Sequence, residues 1–187
     1  MNALISLHNT AFGWLDKADW FLPTLARFVF AATLLMYFWV SGLTKLGDGF
    51  LGVFQPSAGA YAQIFPRAFE AVGYDTDAFG HYHQVVVVAG TWAEFLLPAF
   101  IVLGLLTRLS ALGMIAFIIV QSLTDAFAHG GINDPGTIGA WFDRFPNSLL
   151  LDQRTFWVSV LLILVFKGGG PLSLDRAFGL GDTRHSA

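Results

Sequence analysis

A single carboxylate, Glu94, lies in the middle of an almost wholly apolar stretch, QVVVVAGTWAEFLLPAFIVLGLLTR at residues 84–108. A charge at the centre of a bilayer costs at least about 2.5 kcal/mol, so such a group faces the protein interior and is paired or protonated. Thr91 lies three residues before Glu94, and Pro98, four residues after it, leaves the carbonyl of residue 94 without its helical donor. The pattern predicts a polar pocket made of the Thr91 hydroxyl, the Glu94 carboxyl and one free carbonyl.

Two cations could share the solvation of this carboxylate. Arg27 lies one and a half turns inside the first apolar segment, and its guanidinium could extend inward to Glu94 or outward to lipid headgroups. Lys45 follows the other end of the same segment. Both pairings are geometrically allowed. The carboxylate is then either a structural pin between two helices or a proton-coupled or quinone-adjacent carboxyl.

Other polar residues are expected to gather at one end of a helical bundle, where the first and third apolar segments end and the second and fourth begin. Asp125 and His129 are four residues apart and would share a helix face. Imidazoles with a carboxylate could bind a transition metal, but no tight spacing such as His-Glu-x-x-His occurs. Hydrogen bonding is therefore the preferred interpretation, and no metal ligand is predicted. This outer-face cluster comprises His81, His83, Asp125, His129, Asp152 and Arg154, beside Lys45.

Composition indicates an integral membrane protein. Of its 187 residues, 55% are hydrophobic and only 12% are charged, whereas a soluble domain carries about 25% charged residues. The net charge of −3 provides no electrostatic footprint for a nucleic-acid partner. The chain has no cysteine, which excludes Cys-ligated iron–sulfur clusters and haem–thiolate centres. A bis-histidine haem is not expected either, because no histidine lies well inside an apolar segment.

Four segments are long and apolar enough to cross a bilayer, which takes about 20 helical residues. We place them at about 21–43, 84–106, 109–128 and 149–166. Residues 107 and 108 form so short a link that the second and third spans must be an antiparallel hairpin. Residues 44–83 and 129–148 are two long outer loops, rich in glycine, proline and aromatics, that should pack over the bundle mouth. The predicted fold is an all-α, four-transmembrane-helix bundle forming a single membrane domain over residues 1–187.

Four spans place both chain ends on one side, and the excess of lysine and arginine on that side favours the cytoplasm. Residues 1–20 lack the basic start and continuous apolar core of a signal peptide. Their apolar residues recur at helical spacing, which predicts a short amphipathic helix in the membrane interface, with a frayed tail as the alternative. Residues 167–187 would be a cytoplasmic tail.

Three motifs together resemble one known family. RFVFAATLLMYFWVSGLTKL (27–46) has an arginine entering the first span and Gly-x-x-Lys-Leu at its exit. WAEFLLPAFIVLGLLTRLSAL (92–112) carries a mid-span glutamate and Leu-Gly-Leu-x-Thr-Arg at the hairpin, and GGGPLSLDRAFGL (168–180) follows the last span. These motifs resemble the DoxX-like family of small bacterial membrane proteins with four spans. The resemblance implies an inner-membrane location and maps the family's polar positions onto Glu94, Arg108 and Lys45. With Thr91 and Arg27, these residues make up the predicted intramembrane polar site.

The resemblance implies a membrane subunit of a quinone-linked redox system, as in thiosulfate:quinone oxidoreductase. A quinone headgroup needs an apolar slot with one or two polar contacts, which aromatic residues in the spans and the buried carboxyl could supply. A separate soluble partner would then carry the electron chemistry. The alternative is a non-catalytic anchor or accessory protein for periplasmic redox or metal-handling partners, docking through loop aromatics. A small transporter ranks last, because one carboxyl and one threonine make a thin polar path. The loop aromatics are Phe54, Tyr61, Phe65, Trp141 and Phe145.

Overall fold

A computed structural model of the protein describes residues 2–13, 15 and 18–180. These residues form helices and connecting turns and contain no strand. In chain order the helices are α1 (Asn2–Phe12), α2 (Phe21–Leu43), α3 (Ala58–Ile64), α4 (Pro66–Ala71), α5 (His81–Leu103), α6 (Thr107–Ala128), α7 (Pro135–Ile138), α8 (Leu149–Lys167) and α9 (Leu174–Ala177).

Helices α2, α5, α6 and α8 are long and apolar enough to cross a membrane. At 1.5 Å per residue they are roughly 29–35 Å long, which matches a hydrocarbon core of about 30 Å. Only 22–28% of each span is buried inside the protein, so the remaining apolar surface is left for lipid. The prediction of an all-α, four-span membrane bundle is confirmed, and this is a multi-pass membrane protein.

The core of the bundle is assembled from one stripe of each span. Its largest side chains are each at most 1% exposed: Phe30 and Phe38 of α2, Ile101 of α5, Met114 and Ile118 of α6, and Leu161 and Leu164 of α8. Outward-facing positions are also apolar; Phe28 and Phe166 are 68% and 73% exposed. This inversion of the usual polar surface is expected of helices that are solvated by acyl chains.

Helix α2 contains a π-helical turn, Ala31–Leu35, whose cause can be read from the sequence. From Ala26 onward, the buried positions of α2 recur every four residues: Ala26, Phe30, Leu34, Phe38 and Gly42. Because an α-helix turns about 100° per residue, a period of four drifts by about 40° at each step. One wider turn of the π type removes much of that drift and keeps all five positions facing the core.

The hairpin between α5 and α6 is Gly104–Leu106 rather than residues 107 and 108, which form the first turn of α6. Gly104 adopts the left-handed conformation (φ 70°) that ends α5, and Leu106 follows at φ 46°. Helix α5 also begins earlier than predicted, at His81, because Gly80 is its N-cap. The predicted second span is therefore displaced by three residues toward the C-terminus, whereas the third span begins two residues earlier than predicted and ends at Ala128, as predicted.

The bundle has two different ends. We call the end that carries residues 44–80 and 129–148 the loop end, and the end that carries α1 and α9 the terminus end. Residues 44–80 are not an open loop, because α3 and α4 pack on the first turns of α5. Their side chains form a second hydrophobic cluster whose buried members are Ala60, Tyr61, Phe69 and Val87.

Helix α1 ends at Phe12, short of the predicted limit at residue 20. Its Leu4 and Leu7 are 74% and 66% exposed, so an apolar surface is available, and its location in the membrane interface stays a prediction. The chain after α8 turns back over the hairpin and forms α9. Of the predicted tail, residues 181–187 lie outside the described residues.

Candidate functional site: buried polar residues in the four-helix bundle

Glu94 forms a buried ion pair with Lys45. The Lys45 Nζ lies 3.0 Å from Glu94 Oε1 and 2.9 Å from Oε2, and the two residues are 5% and 3% exposed. The Ser41 hydroxyl accepts a hydrogen bond from Lys45 Nζ (2.7 Å) and donates one to Glu94 Oε1 (3.1 Å). Both charges are thus compensated within one closed polar triangle, which burial of a charge requires.

The neighbouring backbone brings α2 and α5 close enough for this pair to form. A Cβ on Gly42 would lie 2.7 Å from the Phe95 ring, so only glycine permits this approach. Pro98 interrupts the hydrogen-bond ladder of α5, and the Trp39 indole N–H donates to the nearby carbonyl of Phe95 (3.2 Å). Lys45 follows the C-terminus of α2, where the helix dipole favours a cation.

The chain that follows Lys45 covers the ion pair at the loop end. Glu94 lies about 20 Å along α5 from its first residue, so the first turns of α5 extend beyond the end of α2. The intervening chain fills this space: Ser57 N donates to the carbonyl of Lys45 (3.0 Å), and the Trp92 indole donates to the carbonyl of Val53 (3.0 Å). Both glycines of this segment are tightly enclosed: a Cβ on Gly52 would lie 2.0 Å from the Gly47 carbonyl oxygen, and one on Gly47 would lie 2.0 Å from the Gln55 carbonyl oxygen.

The other residues predicted beside Glu94 have different partners. The Thr91 hydroxyl donates to the carbonyl of Val87 (2.8 Å), because a buried threonine in a helix satisfies itself on the preceding turn. Arg27 lies at the terminus end, where its guanidinium donates to four carbonyls. Arg108 is exposed in the first turn of α6, also at the terminus end. The placement of Arg27, Arg108 and Thr91 in one intramembrane site is corrected accordingly.

Arg27 instead joins the hairpin to the chain after α8. It donates to the carbonyls of Ile101 (3.1 Å) and Val102 at the end of α5, and to those of Gly169 (3.0 Å) and Leu172. Carbonyls at the C-terminus of a helix have no internal donors. Arg27 therefore satisfies the end of α5 and anchors the glycine-rich segment with one side chain.

Asp175 completes this junction. Its carboxylate accepts hydrogen bonds from the amides of Leu106 (2.6 Å) and Thr107 (2.8 Å), and its own amide donates to the carbonyl of Gly104 (2.8 Å). An acidic cap at a helix N-terminus is favoured both by hydrogen bonding and by the helix dipole. The three motifs of the sequence, at residues 27, 104–108 and 168–175, thus meet at one place.

A second buried cation, Arg154, lies at the loop end. Its guanidinium forms an ion pair with Asp125 of α6 and donates to the Ser122 hydroxyl (2.9 Å). Arg154 is 3% exposed, and its Nε atom has no hydrogen-bond partner among the described residues. The Trp157 ring lies 6.0 Å from the guanidinium carbon.

An amide with one unpaired end adjoins this pair. The Gln121 side chain bonds to the Tyr37 hydroxyl (3.1 Å), and its buried Oε1 has no partner among the described residues. Whichever end of the amide faces Tyr37, the other end is left unpaired. Tyr37 packs on Trp157, with ring centroids 5.2 Å apart. Tyr37, Gln121, Arg154 and Trp157 therefore form one contiguous group, which we call the aromatic–polar group.

The remaining members of the predicted outer-face cluster do not meet. His129 bonds to the carbonyl of Gln63 (3.0 Å), and Asp152 accepts from the amide and hydroxyl of Ser148 (2.9 and 2.8 Å). His83 stacks on Phe79, with centroids 4.3 Å apart, and His81 is exposed. Within the described part of the chain, no three histidine, cysteine or acidic side chains are grouped so that they could hold a metal ion.

Comparison with protein-family models finds a match to DoxX that extends over residues 22–130, more than half of the chain. The chain belongs to the DoxX family. No curated protein and no solved structure matches it. The DoxX match includes all of α2 but its first residue and the whole of α5 and α6, and therefore both residues of the Lys45–Glu94 pair.

Several residues of this DoxX protein that carry the site were not singled out from the sequence. Ser41 lies four residues before Lys45, a spacing that places both on one helix face and could have indicated the contact. Asp175 lies in a motif that was recognised, but its role as a remote cap depends on the fold. Gln121 carries no sequence signal, because a single amide near the end of a span resembles an ordinary interfacial residue.

Proposed function

We propose that this DoxX protein is the membrane subunit of a quinone-linked redox system and that a quinone headgroup binds at the aromatic–polar group. The observation that carries the proposal is a pair of buried atoms, Gln121 Oε1 and Arg154 Nε, that lack a partner in the described part of the chain and lie beside the Tyr37 and Trp157 rings. Buried polar atoms are normally paired, so an unpaired acceptor and an unpaired donor close together indicate a site where a ligand binds.

The chemistry of a quinone fits this group. A quinone carbonyl accepts a hydrogen bond, which Arg154 Nε–H would donate, and the hydroxyl of the reduced quinol would donate to Gln121 Oε1. Its flat ring suits a position against Trp157 and Tyr37. In this proposal the electrons pass to or from a separate partner protein, and Glu94, held by Lys45 deeper in the bundle, serves as a structural pin.

Quinone titration tests the proposal. Protein purified in mild detergent would be titrated with a short-chain quinone while tryptophan fluorescence is recorded, and co-purified quinones would be extracted and identified. Gln121→Leu removes one hydrogen bond, which corresponds to an affinity loss of roughly tenfold. Gln153→Leu is the matched control, because Gln153 is exposed on α8. If the wild-type protein neither retains nor binds quinone, the proposal fails. If the double variant Lys45→Met/Glu94→Gln stays folded and loses binding while Gln121→Leu leaves binding unchanged, the headgroup binds at the ion pair instead.

A second function, anchoring a redox or metal-handling partner, is favoured by one surface of the loop end. Trp141, Phe142 and Phe145 are 61%, 105% and 57% exposed, and the Trp141 indole is held by the carbonyl of Leu151 (2.9 Å). Of the other loop aromatics, Tyr61 and Phe65 are occupied within the second hydrophobic cluster. A photo-crosslinker placed at Phe142 should capture a protein partner, whereas one at the lipid-facing Phe28 should capture lipid. Crosslinks to lipid alone at both positions would contradict the anchoring function.

We also propose that the protein lies in the bacterial inner membrane with both termini in the cytoplasm. Arg108, Lys167 and Arg176 lie at the terminus end, which supports this orientation. The chain has no cysteine, so single substitutions give clean accessibility labelling. An impermeant thiol reagent should label Thr76→Cys and not Phe178→Cys in intact cells. The reverse pattern would invert the orientation.

A further inference from the structure

A groove of about 600 Å3 lies at the terminus end of the bundle, away from both buried ion pairs. Its walls are the first turn of α6, the end of α8, the glycine-rich segment 168–170 and the short helix α9. None of the chemistry proposed above uses this groove.

Three cationic side chains from three different elements line the groove: Arg108 of α6, Lys167 of α8 and Arg176 of α9. Lys167 forms an ion pair with Asp19 (2.8 Å). Asp175 is also in the lining, but both of its carboxylate oxygens already accept amide hydrogen bonds. Within the described ranges, the exposed side chains of Arg108 and Arg176 form no hydrogen bond or ion pair. The groove therefore presents two guanidinium groups that no acidic side chain among the described residues neutralises.

The lining of the groove also includes a buried polar group without a partner. Thr107 is fully buried, and its hydroxyl has no hydrogen-bond partner in the described part of the chain. Gly169 lies against it, where an added Cβ would be 2.6 Å from the Thr107 hydroxyl oxygen. The orphaned hydroxyl is an observation independent of the charges, and it too favours a polar ligand.

The groove lies at the level of lipid headgroups. It is bordered by the ends of two spans whose lengths match the hydrocarbon core, and Trp20, 54% exposed, lies at its edge as interfacial tryptophans do. On the lipid-facing side of α6, Leu109 and Leu112 are 66% and 51% exposed. A ligand with its anionic group in the groove could extend acyl chains along these leucines.

We propose that this groove binds the phosphate headgroup of an anionic phospholipid. Arg108 and Arg176 supply the charge and the forked donors that suit phosphate oxygens. The apolar flank of α6 favours a lipid over free phosphate, because it offers acyl chains a surface that inorganic phosphate would leave uncovered.

Native mass spectrometry of the delipidated protein in detergent tests this site. Dioleoyl phosphatidylglycerol would be titrated against dioleoyl phosphatidylcholine, which has the same chains and no net charge. The wild-type protein should prefer phosphatidylglycerol, and Arg108→Gln/Arg176→Gln should weaken that lipid's binding by roughly tenfold to thirtyfold, as expected for two cations near a headgroup. Arg67→Gln/Arg144→Gln removes two exposed cations from the loop end and should leave the preference unchanged.

Three results would overturn the proposal. The first is equal binding of the two lipids by the wild-type protein. The second is equal phosphatidylglycerol binding by the wild-type protein and the Arg108→Gln/Arg176→Gln double variant. The third is complete displacement of phosphatidylglycerol by inorganic phosphate at the same concentration, which would assign the groove to a free anion. Since both arginines are exposed, an unchanged unfolding midpoint of the variant would establish that lost binding is not lost folding.

Discussion

Removing the Lys45 ammonium should destabilise the protein strongly, because it would leave the Glu94 carboxylate buried without a countercharge. Lys45→Met keeps a long apolar side chain in the same space. The two residues are only 5% and 3% exposed, so water cannot replace the lost partner. Breaking one side of a buried ion pair costs about 3–5 kcal/mol. Glu94→Gln should show a similar cost, since it leaves the ammonium uncompensated.

The double variant Lys45→Met/Glu94→Gln distinguishes this mechanism from simple loss of packing. Neither charge remains, and the Ser41 hydroxyl can still bond to the glutamine amide. Replacement of both members of a buried pair is often close to neutral. We therefore expect the double variant to be more stable than either single variant, with a coupling energy of at least about 2 kcal/mol in the double-mutant cycle.

The free energy of unfolding would be measured in mixed micelles by titration with a denaturing detergent, with helical circular dichroism as the signal. Lys167→Met is the internal control, because its pair with Asp19 is 42% and 56% exposed at the two side chains. An exposed pair contributes at most about 1 kcal/mol. Additive effects of Lys45→Met and Glu94→Gln, or a cost no larger than that of Lys167→Met, would refute the assignment of Lys45–Glu94 as a structural pin.

Two further substitutions test the close contacts of the bundle. Gly42→Ala should lower the free energy of unfolding by about 1–3 kcal/mol, because the added Cβ would lie 2.7 Å from the Phe95 ring. Gly80→Ala is the control: its added Cβ has nothing within 4 Å, so the same assay should show almost no change. Asp175→Ala removes the acceptor of two hairpin amides and should cost about 0.5–2 kcal/mol; hydrogen exchange should then accelerate at the start of α6, and unchanged exchange there would contradict the capping role.

The four spans could be predicted from the sequence because each depends only on local composition and length. Their limits could not be placed as well. Helix α5 begins three residues early because Gly80 caps it, and the hairpin is set by positive φ at Gly104 and Leu106. Leucine rarely adopts a positive φ, so Leu106 in the sequence did not indicate a turn at that position.

The partner of Glu94 could not be chosen from the sequence, because the choice depends on how far α2 and α5 are shifted along each other. Arg27 and Lys45 lie at opposite ends of the first span. In the structure the end of α2 lies beside the middle of α5, which brings Lys45 to the level of Glu94 and places Arg27 among the carbonyls at the end of α5. Hydropathy gives the length of each span but not this axial offset.

The predicted outer-face cluster does not form as a whole, and one reason is that α6 is not a regular α-helix near its end. The argument that Asp125 and His129 share a face assumes a regular α-helix. Residues Thr124–Ala128 form a π-helical turn, which changes the angle between the two positions. Asp125 consequently points to Arg154, while His129 reaches the carbonyl of Gln63.

The family match at residues 22–130 does not coincide with a structural unit. Beyond it, α8 contributes Leu161 and Leu164 to the core and Arg154 as the partner of Asp125, and Asp175 caps the hairpin that lies within the matched region. A fragment limited to the match would leave Asp125 and the hairpin amides without their partners. We therefore propose that the chain folds as a single membrane domain, in which the part outside the family match satisfies polar groups that the matched part leaves open.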